Sequence, residues 1–229
     1  MLYSSVGHGG ASGYLALMAL FHFAPDVMRP SALLLNVFVS MIAWLQYSRT
    51  VELNKKLFFW LIAGSIPAAF AGALISVDNE VYKQILGVLL VFQAVRLLGF
   101  IKSDFHGIKQ SEMIPAILLG IAIGLISGMI GIGGGIILSP LLIMLGWANI
   151  RQTALISALF IFLNSLSGLS GLLWNGANFD SVLYIWIVVA LGGGLIGSWL
   201  GSKKFHPSTL KTLLGIVLVM AGLKLILIK

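Results

Sequence analysis

Cysteine is absent from the 229 residues. Disulfides, thiol catalysis and Cys-ligated metal or iron–sulfur centres are therefore excluded. Charge is scarce as well: 9% of residues are Asp, Glu, Lys or Arg, where a soluble domain carries about 25%. Only 7 residues are acidic, and none lies deep in an apolar run. Glu52, Asp78, Glu80, Asp104, Glu112 and Asp180 fall in connections and Asp26 at a helix end. That distribution weighs against metal-cation transport and against an Asp/Glu proton relay. The opening MLYSSVGHGG has no basic stretch ahead of an apolar core, so it does not read as a secretory signal peptide.

What the chain has instead is apolar length. Hydrophobic residues make up 59% of it, with a mean hydropathy of +1.05. Apolar segments run over 6–23, 30–48, 57–77, 81–101, 113–146, 151–174, 182–202 and 208–228. A helix needs about 20 such residues to cross a bilayer, so the expected fold is an all-α polytopic membrane protein with the lipid bilayer as its partner. The net charge of +7 fits Lys and Arg gathered in cytoplasmic loops. No basic stripe with interleaved aromatics suggests nucleic acid. Self-association into a homodimer is left open.

The polar connection IKSDFHGIKQSE (101–112) divides two similar halves, 1–105 and 106–229, within one transmembrane domain. VGHGG from Val6 matches IGIGG from Ile130 at an offset of 124, and RPSAL (29–33) matches RQTAL (151–155). AGSIPAAFAGAL (63–74) lies over GGGLIGSWLGSK (192–203), and LGVLLVFQAVRLL (86–98) over LGIVLVMAGLKLI (214–226). Four blocks in one order point to an internal repeat. The copies differ at the start: Met113–Met129 precede the second glycine cluster, whereas only MLYSS precedes the first. A missing N-terminal arm, a late start or a naturally short chain would each produce this.

Residues 113–146 are too long for one crossing. As a straight helix they would span roughly 50 Å against a hydrocarbon core of about 30 Å. Gly131, Gly133, Gly134 and Gly135, with Pro140 behind them, mark the break. Glycine permits positive φ and costs about 1 kcal/mol relative to alanine inside a helix. Amides freed at such a break, at the positive end of a helix dipole, form an anion site. Close helix packing is the competing explanation for membrane glycines, and ALGGGLIGSWLG (190–201) reads that way.

Two topologies distribute the 14 Lys and Arg differently. If all eight segments cross, the sides hold 8 and 6; if each glycine-broken segment returns to its own side, they hold 10 and 4. The second distribution is the one the positive-inside rule favours. It makes the halves inverted repeats, each with one re-entrant or half-helix segment and three transmembrane helices.

Candidate binding residues follow from the repeat. In the first copy they are Gly7, His8, Gly9, Gly10, Arg29 and Asn36; in the second, Gly131, Gly133, Gly134, Gly135, Arg151 and Asn164. Arg29 and Arg151 stand at equivalent helix starts, where a cation opposes the dipole, so each could draw an anion to a cavity mouth or snorkel to lipid head groups. Asn36 and Asn164 sit in apolar helices near Ser31, Ser40, Thr153, Ser157, Ser165 and Ser167. Intramembrane amides face either substrate or a neighbouring helix. His8 could bind an anion, carry a proton or bond a backbone carbonyl.

SGMIGIGGGIILSPLLIMLG (127–146), RQTALISALFIFLNSLSGLSG (151–171) and ALGGGLIGSWLGSKKF (190–205) resemble the TauE/SafE, or TSUP, sulfite exporters. The resemblance covers nearly the whole chain in two copies. The first copy departs from the glycine pattern, with His8 at an apolar position, Ala11 at the third glycine and no counterpart of Pro140. The resemblance implies a multi-pass inner-membrane carrier of sulfite or an organosulfonate. The expected mechanism is anion binding between two glycine breaks and alternating access, with no cofactor, no metal and no enzymatic chemistry. A metal-cation transporter using His8 and a non-transport structural subunit are the alternatives.

Overall fold

The computed structural model describes residues 11–99, 109–176 and 207–227. All regular structure there is helical: α1 (Ala11–Leu20), α2 (Pro25–Tyr47), α3 (Lys55–Leu74), α4 (Asn79–Leu97), α5 (Met113–Ile130), α6 (Gly135–Met144), α7 (Ile150–Trp174) and α8 (Pro207–Leu227). Helices α2, α3, α5 and α7 are long and apolar enough to cross a membrane. The expected segments match these helices, with two differences. Helix α2 opens at Pro25 rather than at residue 30, because proline at a first helical position has no amide to lose. The run 113–146 divides into α5 and α6. The expected crossing over 182–202 lies outside the described residues.

Glycine packing sets the helix directions. A Cβ on Gly120, Gly124 or Gly128 of α5 would strike the carbonyls of Leu61, Ser65 and Ala69 of α3. Both series ascend, so α3 and α5 run parallel with their backbones in contact. Helix α7 runs with them: Asn164 bonds Ser65, Ser167 bonds the Ile66 carbonyl, and Gly171 abuts Phe70. Helices α4 and α8 are antiparallel, with Gly87 against Gly222 and Leu98 against Gly215. The backbone approach that small residues permit is what holds such helices together in lipid.

These directions define two faces. One face carries the starts of α3, α5 and α7 and the end of α6. The other carries the starts of α2 and α4 and the end of α1. Ten-residue α1 and ten-residue α6 thus end on opposite faces. Among the described residues, Arg49, Lys55, Lys56, Arg96, Lys109 and Arg151 lie toward the first face and Arg29, Lys83 and Lys224 toward the second.

Candidate functional site

Helix α5 ends at Ile130, and the next residues cannot continue it. Gly131, Gly133 and Gly134 have φ of 85°, 72° and 79°, a region that costs other L-residues about 1–2 kcal/mol each. Helix α6 then starts at Gly135 and runs ten residues, roughly 15 Å. Gly133 lies at mid-height of the bundle. A Cβ there would fall 2.7 Å from Ile161, 2.9 Å from Asn36 Nδ2 and 3.1 Å from Ser165 Oγ. Asn36 is the central residue of the 23 in α2, and Ile161 is the twelfth of 25 in α7. The unwound backbone is therefore deep in the protein, where protein must cover it.

The two sides of the break are treated differently. Side chains cap the carbonyls of Gly128, Ile130 and Gly131, while those of Ile132 and Gly133 meet no donor among the described residues. Arg29 donates to the Gly128 carbonyl through Nε at 3.0 Å and Nη2 at 2.8 Å. Tyr82 donates to the Ile130 carbonyl at 3.0 Å. Asn36 Nδ2 faces the Gly131 carbonyl at 3.5 Å, and Tyr14 donates to Asn36 Oδ1. The amides are not capped. Ile137 and Leu138 bond the Gly134 carbonyl, but the N–H groups of Ile132, Gly133, Gly134, Gly135 and Ile136 meet no acceptor among the described residues. All five residues are buried. Beside them the buried Ser165 hydroxyl also lacks a partner. Buried amides are paired in more than about 90% of cases, so five consecutive open donors at a helix N-terminus make these amides the candidate site for an acceptor.

The expected site residues divide accordingly. Gly131, Gly133, Gly134, Gly135 and Asn36 come together at the break. Asn164 lies one residue from Ser165 but turns its amide to Ser65 Oγ at 3.0 Å and the Phe160 carbonyl at 2.8 Å, leaving Oδ1 unpartnered. Arg29 does not face open space. Its guanidinium also bonds the Gly72 and Ala73 carbonyls at 3.0 and 2.8 Å, so it clamps the ends of α3 and α5. A cation at two helix C-termini complements both dipoles. Arg151 is exposed in the first turn of α7, ten residues or roughly 15 Å of helix before Ile161, and does not reach the break. Gly7, His8, Gly9 and Gly10 lie outside the described residues.

Sequence alone did not single out Tyr14, Tyr82 and Ser65. The available signal was a polar head inside an apolar helix, but only the packing of α1, α3 and α4 reveals their partners. No group of three His, Asp or Glu side chains close enough to hold a metal exists among the described residues.

Apolar helices, four of them long enough to cross a membrane, around an unwound segment with open donors are the architecture of a polytopic membrane protein. The family described as sulfite exporter TauE/SafE matches residues 1–225. The chain belongs to that family. It is similar to the probable membrane transporter protein y4hK of Sinorhizobium fredii, 31% identical over 99% of this chain and 93% of the relative. It also resembles the probable membrane transporter proteins MJ0441 of Methanocaldococcus jannaschii and YjnA of Bacillus subtilis. These are 28% and 26% identical, over 82% and 96% of this chain and 74% and 92% of the relatives. No solved structure gives a significant match.

Proposed function

We propose that the protein is a secondary transporter of a small oxyanion, sulfite or an organosulfonate, bound at the amides of Ile132–Ile136 and moved by alternating access. One observation carries this reading: five consecutive amides at the break are open, while side chains occupy the Gly128, Ile130 and Gly131 carbonyls. A cation would be held by carbonyl oxygens, and three of those at the break are already occupied by Arg29, Tyr82 and Asn36. The unpartnered Ser165 hydroxyl supplies a neutral donor beside them. Neutral donors at the positive end of a helix hold an anion without a buried counter-charge.

We read the two halves as inverted repeats, the arrangement that alternating access uses. Helices α1 and α6 begin inside the bundle and end on opposite faces, and the equivalent helices α4 and α8 pack antiparallel. The face bearing Lys55, Lys109 and Arg151 is cytoplasmic on the positive-inside rule, in a multi-pass protein of the cell's inner membrane. Calorimetric titration of the purified chain with sulfite, thiosulfate, sulfoacetate and sulfate tests the reading. Saturable binding of at least one is expected; binding of a neutral solute or a divalent cation in place of all four overturns it.

A further inference from the structure

Helices α1, α4 and α8 share a core in which Leu15, Leu86, Leu90, Leu218 and Ala221 are buried together. Helices α3, α5, α6 and α7 share another, around Leu61, Ile123, Leu142 and Phe160. Each bundle takes helices from both sequence repeats. Where the first meets the second, two tyrosines reach the carbonyl edge of the break. Tyr82 of α4 donates to the Ile130 carbonyl, and Tyr14 of α1 donates to Asn36, whose amide faces the Gly131 carbonyl.

The helical register gives these contacts their weight. If α5 continued as a helix, the Ile130 and Gly131 carbonyls would accept from the amides of Gly134 and Gly135, four residues on. The Tyr82 phenol, 2% exposed, takes the place of the first amide. Asn36, held by Tyr14, takes the place of the second. The displaced amides are two of the five open donors. A capped carbonyl therefore corresponds to a free amide.

We propose that Tyr82 and Tyr14 are positioning residues, which keep the backbone at Gly131–Gly135 unwound and its amides turned to the ligand. This rests on the oxyanion reading above. Without the phenol, the Ile130 carbonyl can recapture an amide and consume one donor. The anion then competes with the protein's own backbone. Both tyrosines lie on the α1–α4–α8 bundle, so displacement of that bundle changes the ligand's donors.

The test uses the full chain in lipid nanodiscs with sulfite and thiosulfate as probes. Tyr82→Phe keeps the ring and removes only the hydroxyl. Its Kd rises about threefold to tenfold, the scale of one hydrogen bond, while Tm changes little. Tyr14→Phe shifts Kd in the same direction, and the double variant shifts it by less than the product, because both act on adjacent carbonyls. Should Tyr82→Phe not be recovered folded, Tyr14→Phe carries the test alone. An altered Tm with unchanged Kd in the folded protein marks a merely structural role and overturns the proposal. Wild-type protein that binds neither probe overturns the oxyanion reading and the proposal with it, a result distinct from tight wild-type binding that the variants leave untouched.

Discussion

The amide of Lys109 donates to the carbonyl of Gly146 at 2.7 Å. These residues flank the whole α5–α6 segment, so the chain leaves on the face where it entered. Helix α5 rises 18 residues, roughly 27 Å, and α6 returns 10 residues, roughly 15 Å. The glycine backbone makes up the difference by dropping from the level of Arg29 to that of Asn36, both of which it touches.

A side assignment follows. Cysteines introduced singly as Lys55→Cys, Lys109→Cys and Arg151→Cys should label with a membrane-impermeant maleimide from one side of the membrane. Asp78→Cys should label from the other. If Lys109→Cys and Arg151→Cys react from opposite sides, α5–α6 crosses rather than returns.

Gly133→Ala should abolish most binding. Its φ of 72° strains alanine by about 1–2 kcal/mol, and the methyl would press on Ile161, Asn36 and Ser165. Gly99 separates these two causes, since its φ is 86° and a methyl added there would meet nothing within 4 Å. Gly99→Ala should therefore lose only the backbone term in thermal unfolding and keep wild-type anion affinity. Equal affinity loss in both would show that strain alone, and not the crowded midplane, governs the site.

The helices and the break were legible in the amino-acid order, because both follow from length. Apolar runs near 20 residues define crossings, and residues 113–146 exceed one crossing where four glycines cluster. The partners were not legible. Arg29 looks like a free cation at a helix start until α3 and α5 are placed parallel with Leu61 beside Gly120 and Ala69 beside Gly128. That register joins residues 59 positions apart and brings two helix ends under one guanidinium. Tyr82 was silent for the same reason, since its acceptor lies 48 residues away.

Ser165→Ala separates function from stability by sign. A buried hydroxyl with no partner costs about 1–3 kcal/mol, and Ser165 is such a group. Removing it should leave Tm unchanged or raise it. If the hydroxyl serves the ligand, Kd should rise by about threefold to tenfold at the same time. A lower Tm with unaltered Kd would assign Ser165 to packing instead.

Arg29 and Arg151 open the similar stretches RPSAL and RQTAL, yet their substitution should read out differently. Arg29→Gln leaves the Gly128, Gly72 and Ala73 carbonyls without their donor. Loss of charge-assisted bonds in a half-buried setting costs about 1.5–3 kcal/mol, measurable as a lowered Tm. Arg29→Lys should recover only part of it, because an ammonium cannot fork between two helix ends. Arg151→Gln removes an exposed side chain and should stay within about 0.5 kcal/mol of wild type. If instead the two variants lose anion affinity equally and neither changes Tm, both arginines act as electrostatic attractors at the two mouths, and the clamp at the ends of α3 and α5 is dispensable.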